Sequence, residues 1–296
     1  MPADFPSFRM LFHELAPCAE DAYHKVLLPW IPKAREAMSV LGRYGGLEAI
    51  HWRKDTPDDL CSGGDTSYYS CLERLYALSR VSDLLLTPFE PVPREALAVG
   101  YDENWQPSAV ISAEERQAWW TALGMTPIDE TRAFHPFYHE IVTVEQADDP
   151  QEPIALTGTL WTGFMLGKLM FCRAGVSVRG GRAHIVKEIA ETSRIYWTFL
   201  RNNRQAVDLS HGWGHNSQWS TDFRRDYAAE DAYHYNVDGE HPLIETDGAG
   251  GSERGWGELS VDSSIELMSN RCFVRTTEHL YDEALYSAFY SEPRTS

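Results

Sequence analysis

Residues 155–176, ALTGTLWTGFMLGKLMFCRAGV, are apolar enough that any chain carrying them must bury them. As a helix the run is long enough to span a bilayer. Lys168 lies inside it and Arg173 near its end, and an ion at bilayer depth is strongly disfavoured. The reading is therefore a buried core helix, not a membrane span. Gly163 and Gly167 would let a second backbone, or a flat ligand, come close to it. With 43% hydrophobic residues, the chain has material for a sizeable core around such an element.

Periodicity places the other elements. Residues 19–46 look helical, interrupted where Pro29 and Pro32 remove backbone donors. A polar, glycine-containing loop follows at 51–69. Leu72, Leu75, Tyr76 and Leu86 then share one helical face over 68–87, ended by Pro88. Ser112 and Glu115 form a capping-box pattern at the head of SAEERQAWWTAL. YHEIVTVEQ (138–146) alternates and is β-branched, so it predicts a strand. Ile185, Ile189, Tyr196 and Leu200 predict a helix over 182–206. STDFRRDY and AYHYNVDG can pair as a hairpin, and two helices are expected near 262–271 and 277–290. The sum is a single domain over 1–296, mainly α, with a minor β-hairpin element.

A net charge of −18 repels phosphate backbones and anionic membrane surfaces, so neither nucleic acid nor a membrane is an expected partner. Cys18, Cys61, Cys71, Cys172 and Cys272 form no CxxC and are odd in number, which favours reduced thiols. The N-terminus MPADFPSFRM lacks a signal-peptide layout. The expected location is cytoplasmic.

Two segments each set a pair of histidines four residues apart. In HGWGH, His211 and His215 would share a helical face and could hold one metal. Gly212 and Gly214 make a continuous helix poor there, and leave room for a planar group or for a structural turn with hydrogen-bonded imidazoles. In HPFYHE, His135 and His139 lead into a strand, where such positions lie about 13 Å apart at roughly 3.3 Å per residue. A shared metal would need the bend that Pro136 can supply. A single histidine acting as base or hydrogen-bond partner is simpler to build, and an aromatic-rich core is the plain alternative.

Arg224 and Arg225 in TDFRRDY suit a ligand carboxylate or an ion-pair cluster with Asp222 and Asp226. The glycine-rich segment 246–258 reads as a surface loop or a flap. No GxxxxGK[ST], strand–GxGxxG–helix unit, GxSxG or HExxH occurs. Aromatic residues beside the histidines, among them Tyr138, Trp213 and Trp219, could line a site for a flat ligand.

DDLCSGGDTSYYSCLERLYALSRVSDLLL, HPFYHEIV and SHGWGHNSQWSTDFRRDY resemble the heme-dependent tyrosine hydroxylases of actinobacterial lincomycin- and anthramycin-type pathways. These are similar to the tryptophan 2,3-dioxygenase superfamily, so the resemblance implies a helical dioxygenase-like domain with heme b. It implies hydroxylation of L-tyrosine beside the phenol to give L-DOPA, using hydrogen peroxide, in antibiotic biosynthesis. Under it His211 is the axial iron ligand, with His215 second. His139 or His135 handles protons on the distal side. Arg224 and Arg225 meet the heme propionates or the substrate carboxylate, and Tyr138, Trp213 and Trp219 hold the ring. The partner is then a small-molecule aromatic amino-acid substrate, and a homodimer is compatible with the scheme. The other readings are a non-heme metal enzyme using the same four histidines, and a non-catalytic binding protein.

Overall fold

A computed structural model describes residues 7–18, 20–53, 68–89, 109–129, 132–193, 223–246, 253–254, 259–277 and 287–294. In chain order the helices are α1 (Phe8–Leu15), α2 (Leu28–Leu41), α3 (Tyr68–Leu84), α4 (Ala113–Ala122), α5 (Lys187–Ala190) and α6 (Val261–Asn270). The strands are β1 (Thr126–Pro127), β2 (His139–Gln146), β3 (Ala155–Trp161), β4 (Phe164–Leu166), β5 (Leu169–Cys172) and β6 (Ala174–Gly180). They continue as β7 (Tyr227–Ala228), β8 (Ala232–Tyr235), β9 (His241–Pro242), β10 (Glu245–Thr246), β11 (Glu253–Arg254) and β12 (Ala288–Pro293).

The mainly helical expectation is wrong, and the apolar run shows why. Residues 155–176 are not a helix: they form β3, β4, β5 and the start of β6. Glycine is about 1 kcal/mol worse than alanine in a helix, and the run carries four, beside the β-branched Thr157, Thr159 and Thr162. Gly167, at φ 58°, and Lys168 make the tight turn between β4 and β5. Lys168 is exposed at that turn while the flanking strands are buried. The run is buried in β4, β5 and the start of β6, but residues 155–160 of β3 are exposed or half-buried, and the whole run is strand and turn where a buried helix is expected. No helix among the described residues is long and apolar enough to cross a membrane.

The described chain forms two compact units, each built from separate stretches of sequence. In the first, α1 packs on α3 through Phe8, Leu11, Phe12 and Leu15. A π-turn at Tyr23–Leu27 runs straight into α2, whose first turns contain Pro29 and Pro32. The prolines loosen the ladder rather than break it, because the Leu28 N–H reaches back five residues to the Tyr23 carbonyl. The capping box at Ser112 and Glu115 is formed. Strands β1, β4 and β5 pair antiparallel. The Trp120 ring of α4 lies 5.1 Å from Phe171 and 6.2 Å from Phe164. The close backbone approach expected at Gly167 is present, since the Gly45 carbonyl accepts the Lys168 N–H at 2.7 Å.

In the second unit, β2 pairs parallel and β3 antiparallel with the central β6. Ile141, Val144, Val176 and Val178 from that sheet pack with Ile185, Cys272 and Val274. A further set runs β7–β8–β12–β9; the first two pairs are antiparallel and the last is parallel. The expected strand over 138–146 and the hairpin of 227–235 are both there. Of the expected helix over 182–206, only Lys187–Ala190 is helical within the described residues. Near the C-terminus the first expected helix is α6, but Ala288–Pro293 is a strand held between β8 and β9.

Candidate functional site

The placed residues that the sequence singled out lie in the second unit. Pro136 supplies the bend anticipated in HPFYHE: the His135 carbonyl accepts the Tyr138 N–H at 3.1 Å and the His139 N–H at 2.9 Å, closing a turn just before β2. Both imidazoles serve this turn. His139 Nδ1 accepts the His135 N–H at 3.0 Å, and His135 Nδ1 accepts the Phe137 N–H at 3.1 Å. A backbone N–H can only donate, so each neutral ring carries its proton on Nε2. Burial, then the charges of Arg173, His139 and Arg294, pull His135 from 6.5 down to about 4. At neutral pH it is uncharged and offers an N–H, so it suits a hydrogen-bond donor better than a base. Its ring centroid lies 4.4 Å from Tyr233, which Phe137 and Tyr138 also contact. Tyr138 belongs to this aromatic knot and is buried. The turn therefore has an evident folding role.

Arg224 and Arg225 are equally committed. Asp226, fully buried, accepts from Arg224 Nε at 3.1 Å, from Arg271 Nη2 at 2.8 Å and from the Asn236 N–H at 2.8 Å. Arg173 Nη2 lies 3.5 Å away. Burial pushes the Asp226 carboxyl up, but Arg224, Arg271 and Arg173 together outweigh it and hold the group at about 2. Arg224 also donates to the Met268 carbonyl at 3.0 Å. Arg225 grips Asp238 through Nε at 2.8 Å and Nη2 at 2.7 Å. Both guanidiniums are buried within these bonds, so a heme propionate would have to displace existing partners. They do not fit that group, and no heme contact is assigned to them.

An open hollow of about 230 Å³ lies along one face of α6. Phe134, Ile154, Ile265 and Val274 give it an apolar lining, beside Asp262, Glu266, Asn270 and Arg275. Phe134 is backed by the His139 ring, stacked at 5.9 Å, so the HPFYHE turn builds one wall. The facing segment 274–276 is folded over α6 by Glu266. That buried carboxylate accepts the N–H groups of Val274, Arg275 and Thr276 at 2.6, 2.8 and 3.0 Å. Its second oxygen takes Arg275 Nε at 3.1 Å and the Thr276 hydroxyl at 2.8 Å. Arg275 and Asp262, also lining the hollow, form an ion pair of 3.9 Å between Nη2 and Oδ2, longer than a hydrogen bond, while Arg275 Nη1 donates to the Ala183 carbonyl at 3.3 Å. A positive and a negative group thus lie together beside apolar lining residues.

Of the residues singled out in the sequence, His135, His139, Tyr138, Arg224 and Arg225 are placed, and all five are packed into the fold. His211, His215, Trp213 and Trp219 lie outside the described residues, as does most of the glycine-rich segment. Among the described residues, the one group of three side chains whose ligand atoms could meet on a metal is Asp21, His24 and Glu115, and it includes neither histidine of HPFYHE. Sequence reasoning missed Glu266, Asp262, Asn270 and Arg275. The available signal was Glu266 itself, an acid set among Ile265, Leu267 and Met268 on an amphipathic helix. Comparison of the chain with family models, with curated proteins and with solved structures finds no match.

Proposed function

We propose that this chain binds a small aromatic amino acid, as an enzyme's substrate, in the hollow beside α6. The observation that carries the reading is that apolar residues and the long, partly exposed Arg275–Asp262 ion pair line the same hollow. An α-amino acid matches that couple group for group: its carboxylate meets the Arg275 guanidinium and its ammonium meets Asp262. The ring then covers Phe134, Ile265 and Val274. A volume of about 230 Å³ suits a compact ligand and falls below the usual range for drug-sized molecules.

L-Tyrosine is the member of this class that the sequence resemblance implies. The helical dioxygenase fold implied with it is not this chain's fold, so the reading rests on the hollow. The test is calorimetric titration with L-tyrosine, with tyramine, which lacks the carboxylate, and with 3-(4-hydroxyphenyl)propionate, which lacks the ammonium. L-Tyrosine should bind at least tenfold more tightly than either analogue. Equal affinities, or no binding at millimolar ligand, would overturn the proposal. Production of L-DOPA from L-tyrosine and hydrogen peroxide, in protein expressed with heme precursor, tests hydroxylation separately.

A further inference from the structure

We propose that Asn270 sets the ring specificity of this hollow, by accepting a hydrogen bond from a donor at the far end of the ligand's ring. The inference rests on the reading of the hollow as an aromatic amino-acid site. Asp262, Ile265, Glu266 and Asn270 are spaced to share one face of α6, and all four line the hollow. Along that face lie a carboxylate near the N-terminus, Ile265 at the centre beside the Glu266 carboxylate already bonded to segment 274–276, and a carboxamide at the C-terminus. Eight residues at 1.5 Å per residue set its ends about 12 Å apart. That span suits an amino acid whose ring carries a polar tip.

The orientation of the Asn270 amide gives the direction of the hydrogen bond. Its Nδ2 donates to the Glu266 carbonyl at 3.1 Å and lies 3.4 Å from the Ser269 hydroxyl. The NH₂ end is thus held by the helix's own last turn, and the carboxamide oxygen is the end that can serve a ligand. An oxygen accepts; it selects a phenol, which donates, over a phenyl ring, which cannot. A site that bonds a ligand's hydroxyl discriminates against the analogue lacking it.

The experiment measures dissociation constants for L-tyrosine, L-phenylalanine and O-methyl-L-tyrosine on the full chain, then for L-tyrosine and L-phenylalanine on Asn270→Leu and Asn270→Asp. Wild type should prefer L-tyrosine over both other ligands by at least tenfold, since the methyl ether removes the donor and keeps the oxygen. Asn270→Leu should abolish that preference, and Asn270→Asp, which keeps an acceptor, should retain it. If wild type binds all three ligands equally, or Asn270→Leu binds with the preference unchanged, the assignment of Asn270 is wrong and the hollow stands. If wild type binds none of them, the hollow reading fails and takes this inference with it. The wild-type ligand series decides the matter even where a variant fails to fold.

Discussion

Replacing Asp226 by asparagine removes the one buried carboxylate on which Arg173, Arg224 and Arg271 converge. The group is held at about 2 in the folded chain against an ordinary 3.8. At 1.36 kcal/mol per unit, that difference stabilises the fold by about 2 kcal/mol. The sign follows from the depressed value: the contribution is complete above pH 3.8 and is lost as pH falls toward 2. Asparagine also leaves guanidinium charge buried without this counter-ion, and breaking a buried ion pair from one side typically destabilises by about 3–5 kcal/mol. We expect Asp226→Asn to lose about 3 kcal/mol by urea denaturation at pH 7, and on the order of 6–12 °C in thermal midpoint at about 2–4 °C per kcal/mol. Because the pair is buried, 0.5 M NaCl should leave most of the difference in place. A loss under 0.5 kcal/mol, or one erased by salt, would refute the reasoning.

His135 is held near 4 against 6.5 when unfolded, so the folded state resists its protonation and stability should fall as pH drops from 6.5 toward 4. His135→Gln should flatten that part of the urea-midpoint profile, and an unchanged slope would contradict the assignment. Gly167→Ala should destabilise by about 1–3 kcal/mol: the residue sits at φ 58°, and an added Cβ would meet the Gly45 carbonyl oxygen at 2.5 Å. A thermal midpoint within 1 °C of wild type would count against that estimate. Ser112→Ala should remove the capping box for about 1 kcal/mol, read by the same denaturation.

What the sequence made legible was local. The β-branched alternation of HEIVTVEQ and the Ser112–Glu115 cap depend on neighbours a few residues apart and are present; of the STDFRRDY–AYHYNVDG hairpin, the paired strands are Tyr227–Ala228 and Ala232–Tyr235. The length of the apolar run suggests a helix, but its glycines and threonines favour the strands and turns it forms. The Asp226 cluster could not be inferred from TDFRRDY alone. Its third arginine, Arg271, comes from 45 residues further along the chain, and Arg173 lies at the end of the run taken for a helix. The hollow was invisible for the same reason. Phe134, Ile154, Ile265 and Val274 come from four separate stretches that only the folded chain brings together.

The most direct test of the central claim is a titration of L-tyrosine followed by backbone amide NMR shifts, on wild type and on Ile265→Trp, which enlarges a lining residue of the hollow. The account predicts shifts concentrated at Phe134, Ile265, Asn270 and Arg275, and affinity at least tenfold weaker in the variant at an unchanged unfolding midpoint. Undiminished binding by Ile265→Trp, or shifts confined to other parts of the chain, would contradict it.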